Sequence, residues 1–157
     1  MSMVGNDLDI CDLNAVSSAD LSQYAGVITI EEPDTADPFR TAETAQLILQ
    51  FHDIDMTMLG YVEPEPFHVE RALLCARETK GSLLVQCRAG VSRSTAIALA
   101  VTADRFGAGK ERQACEWLRL VRPHAKPNQL VVIFADQILG YEQRLWNAAN
   151  EIFCCDA

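Results

Sequence analysis

The chain has 157 residues, 49% of them apolar, enough to bury one sizeable core and too few for two, so a single domain over residues 1–157 is predicted. A formal net charge of −9 argues against nucleic acid as a partner, because a phosphate backbone rewards a basic face. No run reaches the roughly 18 to 20 apolar residues of a membrane span, and the start MSMVGNDLDI lacks the features of a signal peptide, so a cytoplasmic protein with no membrane partner is expected.

In chain order, short apolar runs predict strands at Leu8 to Leu13, Val27 to Ile30, Leu47 to Phe51 and Leu83 to Cys87. A short helix is expected near Ala19 to Tyr24. The acidic stretch EEPDTADPF (Glu31 to Phe39) carries turn formers and no periodicity, which predicts a long loop able to border a site. After Pro64-Glu65-Pro66 a helix begins, with Val69, Ala72, Leu73 and Ala76 on one face.

Beyond Arg93 the run STAIALAVTA is apolar on nearly every side, as in a helix buried all round, and Gly107 and Gly109 stop it. A further helix over Lys110 to Arg122 shows Ala114, Trp117, Leu118 and Val121 on one face and ends at Pro123. A last long helix is predicted from the N-cap Asn128 to about Asn150. Strands alternating with helices imply an α/β fold.

The six cysteines, Cys11, Cys75, Cys87, Cys115, Cys154 and Cys155, are scattered and fit free thiols better than a disulfide framework. Cys154 and Cys155 have no CxxC or Cys/His partner, and His52, His68 and His124 show no metal spacing. No metal or other cofactor is expected, and the histidines are read as structural or surface residues.

The chemistry is concentrated in LLVQCRAGVSRST (Leu83 to Thr95). Cys87 ends an apolar strand, and a helix follows about six residues on. Ligands of α/β sheets bind at this end of a strand, where helix N-termini present free N–H groups. Arg88, Ala89, Gly90, Val91 and Ser92 form a ring whose amides converge, with Gly90 allowing backbone angles that a β-carbon resists. Arg93 closes the ring with a planar fork matched to two phosphate oxygens. These groups favour a thiolate at Cys87, the nucleophile for attack on phosphorus. Given the acidity of the chain, such a site must be local, without a basic surface to steer the anion.

CRAGVSRST resembles the C-x5-R-S/T signature loop of protein tyrosine phosphatases, with a Ser-Arg-Ser core like that of the dual-specificity type. RPHAKPN (Arg122 to Asn128) is similar to the RP-x3-PN segment of that group, and FHDI (Phe51 to Ile54) looks like the strand and acid loop of small bacterial single-domain members. The resemblance covers roughly Leu47 to Tyr141. It implies a central, mostly parallel sheet of four to five strands flanked by helices, and a phosphomonoesterase working through a phosphocysteine intermediate.

It also implies that the Ser94 hydroxyl assists the leaving thiolate, although Ser94 can equally cap the helix. The acid that protonates the leaving oxygen is expected to be Asp53, which matches the family position, with Asp55 as the alternative. Gln86 departs from the family, which has histidine there; glutamine hydrogen-bonds but carries no charge, implying a functional but less activated nucleophile. The substrate implied is a phosphorylated protein, phosphotyrosine above all, or a small phosphate ester. Phosphoinositides fit less well, since only Arg88 adds charge within the loop. Two other readings are a phosphate-binding module of the same fold without turnover, which Gln86 supports, and an α/β protein whose cysteine is only a redox-sensitive thiol. The oligomeric state is not legible.

Overall fold

The computed structural model describes residues 6–154. Four strands, β1 (Leu8–Cys11), β2 (Gly26–Glu31), β3 (Ala45–Gln50) and β4 (Leu83–Gln86), form one sheet in the order β1-β4-β2-β3, every pair parallel. Six helices accompany them: α1 (Leu13–Ser17), α2 (Pro66–Glu78), α3 (Arg93–Phe106), α4 (Glu111–Val121), α5 (Gln129–Leu139) and α6 (Arg144–Phe153). The expected α/β architecture with a parallel four-stranded sheet is present.

Register explains the two faces. Ile10, Val85 and Ile28 lie side by side across β1, β4 and β2, on the face that α2 to α6 cover. On the other face Val27 and Leu84 pack with Val16 of α1 and Leu21. Helix α3 sits between α2, α4 and α5, and its first eleven residues, Arg93 to Ala103, are buried, as its uniformly apolar sequence predicted. Burial on both faces is what a parallel sheet requires, and it fixes the end of β4 rigidly.

Some expected elements differ. The first strand stops at Cys11, because Asp12 caps α1 by accepting from the Ala15 N–H; the stretch read as a helix near Ala19 to Tyr24 is only a 3-10 turn over Leu21–Gln23. The long helix expected from Asn128 to Asn150 is two. Gly140 takes a left-handed conformation (φ +73°) after α5, and Asp136 accepts the N–H groups of Gln143, Leu145 and Trp146, which starts α6. In α4, Ala114, Trp117 and Leu118 are buried as expected but Val121 is exposed. Cys155 lies outside the described residues.

Candidate active site

The loop between β4 and α3 is pinned from behind by its carbonyls. The Arg88 carbonyl accepts from the Leu13 N–H (3.1 Å), that of Gly90 from Arg122 Nη2 (2.8 Å), that of Val91 from the Lys126 N–H (2.9 Å) and that of Ser92 from the Asn128 N–H (3.1 Å). With the carbonyls turned outward, the backbone N–H groups of Arg88, Ala89, Val91, Ser92 and Arg93 meet no acceptor among the described residues. Such a concave row of free amides at a helix N-terminus is an anion nest. The Arg122 to Asn128 segment thus braces the loop, a role the sequence motif did not reveal.

Gly90 is required twice over. Its φ is +68°, and a β-carbon there would come within 2.7 Å of Arg122 Nη2 and 3.1 Å of the Asp12 nitrogen.

Cys87 is buried at the floor of the nest. Its Sγ accepts from the Gly90 N–H (3.3 Å) and the Ser94 N–H (3.4 Å), and its thiol donates to Ser94 Oγ (3.1 Å). Ser94 therefore faces the sulfur; the N-cap position of α3 falls on Ser92, whose hydroxyl makes no cap bond, so Ser94 does not serve as the cap. The other buried or half-buried thiols have no such donors: burial pushes Cys115 up to about 12 and Cys11 up to about 11, and it also raises Cys75. Among the described cysteines Cys87 alone accepts backbone N–H bonds.

Arg93 is 5% exposed and held at two points. Nη1 donates to the Phe51 carbonyl (3.0 Å) and Nη2 lies 2.5 Å from Glu32 Oε2. Glu32 was not foreseen as a site residue. It stands just after β2 and also reaches Arg88, whose Nε and Nη2 donate to Oε1 at 3.3 Å, while Arg88 Nη2 reaches Thr35 Oγ1 as well. Burial pushes the Glu32 carboxyl up, but the charges and hydrogen bonds of Arg93 and Arg88 outweigh it and hold the group below its ordinary value. The acidic loop thus borders the site, as expected. Arg88 contributes its backbone N–H to the nest, and its side chain is turned to the rim.

Asp53 and Asp55 are treated differently by the fold. Asp53 Oδ1 accepts from Ser92 Oγ (2.7 Å) and Asn128 Nδ2 (3.0 Å), which joins it to the nest and leaves Oδ2 for a proton. Asp55 is exposed and makes no hydrogen bond among the described residues. Behind them, His52 ties its own loop together: it exchanges hydrogen bonds with Val62 (2.7 and 2.9 Å), and its Nε2 lies 3.4 Å from Asp34. Gln86 is 2% exposed, and its Oε1 meets no donor among the described residues. No group of three or more His, Cys, Asp or Glu able to hold a metal ion occurs among the described residues, and no helix there is long and apolar enough to cross a membrane.

Sequence comparison finds no matching family model and no curated relative. Solved structures do match. DUSP15 is 25% identical, with a TM-score of 0.64 over 98% of this chain and 96% of that one. Human DUSP28 is 20% identical, with a TM-score of 0.65 over 88% of this chain and 94% of its own. The human tyrosine phosphatase-like serine/threonine/tyrosine-interacting protein is 21% identical, with a TM-score of 0.60 over 76% and 79%. The chain therefore has the fold of dual-specificity-like protein tyrosine phosphatases.

Proposed function

We propose that the chain is a cysteine-dependent phosphomonoesterase acting on phosphorylated protein, phosphotyrosine above all. The observation that carries this reading is the coincidence of five loop amides without an acceptor among the described residues, the Arg93 fork and a cysteine that accepts two N–H bonds. Cys87 Sγ attacks phosphorus; the S–P bond forms as the ester P–O bond breaks, and the leaving oxygen takes the proton of Asp53. Asp53, now a carboxylate, accepts a proton from water as that water attacks the phosphocysteine. The S–P bond breaks, inorganic phosphate leaves, and the Ser94 hydroxyl donates to the departing thiolate. No cofactor enters these steps.

Gln86 favours a second reading, a phosphate-binding module with little turnover, since its amide cannot supply the charge of an imidazolium beside the nucleophile. One assay separates the two: hydrolysis of an aryl phosphate in EDTA by the wild type and by Cys87→Ser. Turnover by the wild type that vanishes in Cys87→Ser supports the enzyme. Turnover that survives the substitution refutes the mechanism, and phosphate binding without turnover in the wild type selects the module.

A further inference from the structure

An apolar surface stands directly beside this site. Of nine large apolar side chains exposed among the described residues, five belong to one loop, Met56, Met58, Leu59, Tyr61 and Val62, with Leu59 fully open at the tip, and a sixth, Phe67, stands in the first turn of α2 just beyond it. Exposed apolar residues are normally scattered singly, and a concentrated patch marks a contact surface. The loop is held in shape without burying them. His52 and Val62 close its base, the Tyr61 N–H donates to the Met58 carbonyl (3.1 Å), and Thr57 Oγ1 donates to Glu63 (2.7 Å).

Its position follows from those ties. The loop begins at Asp53, which is bonded to Ser92 of the nest. The His52 ring meets Tyr61 edge-on (5.0 Å between centroids) and reaches Asp34 of the acidic loop, which itself reaches Arg93 through Glu32. Apolar loop, acidic loop and nest therefore share one rim.

The charge of that rim selects the occupant. The acidic loop and the apolar loop (residues 31 to 39 and 53 to 65) carry eight carboxylates and no Lys or Arg, and Arg88, turned to the same rim, is paired with Glu32 at 3.3 Å. An anionic membrane surface repels such a rim, and a second copy of a chain of net charge −9 brings the same sign. A protein segment with apolar and basic side chains complements it.

We propose that the Met56 to Val62 loop, with Phe67 of α2 beside it, is the substrate-docking surface. Its partner is a phosphorylated protein segment with apolar side chains next to the phosphoresidue and Lys or Arg beyond them. The inference rests on reading the Cys87 site as one that takes phosphoprotein, and deepens that reading to a sequence preference.

The test uses two phosphotyrosine peptides, one flanked by Leu and Arg and one by Ser and Glu, together with phosphatidylserine vesicles. Binding is measured by fluorescence anisotropy on Cys87→Ser, with and without Met56→Ser/Leu59→Ser. The Leu/Arg peptide is expected to bind about tenfold tighter, and the loop substitutions to remove most of that preference. In the otherwise wild-type protein, the kcat/KM ratio of this peptide to an aryl phosphate falls by a similar factor. Equal binding of both peptides, or a preference that survives the substitutions, overturns the inference, as does vesicle binding that the same substitutions abolish. If the wild type hydrolyses nothing while Cys87→Ser binds the Leu/Arg peptide through this loop, the enzyme reading fails and the docking surface stands.

Discussion

Glu32 holds Arg93: a carboxylate from the acidic loop after β2 lies 2.5 Å from the buried guanidinium that opens α3. The pair aims the Arg93 fork while its other edge is fixed on the Phe51 carbonyl. Glu32→Gln keeps the shape and removes the charge, so inorganic phosphate should inhibit more weakly and kcat/KM should fall about 10- to 100-fold. The pH dependence has a definite sign. The folded carboxyl is held below its ordinary 4.5, so the stabilisation it gives is present above about pH 4.5 and is lost as the pH falls through the folded value. Acid unfolding of Glu32→Gln should lack this component; an unchanged acid limb would remove the argument.

Asp53 and Asp55 separate under substitution. Because Asp53 is bonded to Ser92 and Asn128 and Asp55 to nothing described, Asp53→Asn should lower kcat about 100-fold on a phosphate ester with a poor leaving group and much less on a nitrophenyl ester. Asp55→Asn should stay close to the wild type. Ser92→Ala, which frees Asp53 on one side, should fall between them. The reverse order for the two aspartates moves the acid to Asp55.

What was legible in the sequence was local. Cys87, Gly90, Arg93 and Ser94 fall within one strand–loop–helix turn, so spacing alone places them around one point. Glu32 and Arg122 reach the same loop through the sheet order and the packing of α4 on α3, which no local pattern encodes. The Asn128 to Asn150 stretch misled because helical periodicity persists across the break, although Gly140 is a C-terminal signal and Asp136 supplies the next N-terminus. Asp12 likewise carried the start of α1, but the apolar Leu13 beyond it prolonged the strand pattern.

Gln86 is a stability test as much as a catalytic one. Its Oε1 is buried beside the acidic loop without a donor among the described residues, and an unsatisfied buried acceptor costs roughly 1 to 3 kcal/mol. Gln86→Met keeps the volume and discards the amide, so the variant should be about 1 kcal/mol more stable in urea unfolding. A loss of stability instead would show that the amide is satisfied in solution.

His68 makes stability fall on mild acidification. The side chain is 3% exposed, its Nδ1 accepts the Glu65 N–H at the start of α2 (2.9 Å), and its ring lies between Phe51 (4.7 Å) and Phe67 (4.1 Å). Burial pushes the imidazole below its ordinary 6.5, so the fold prefers it neutral. Between the folded value and 6.5 the unfolded chain binds the proton and the folded chain does not, so stability declines as the pH drops below about 6.5. Urea unfolding at pH 7.5 and 5.5 should show a loss of stability in the wild type from this group, and His68→Gln should lack that increment. Because Asp53 and the apolar loop lie between Phe51 and His68 in the chain, the same acidification should loosen the rim of the site, measured as faster amide exchange at His52 and Val62 than in the sheet. Equal slopes for the wild type and His68→Gln would assign the decline to other groups.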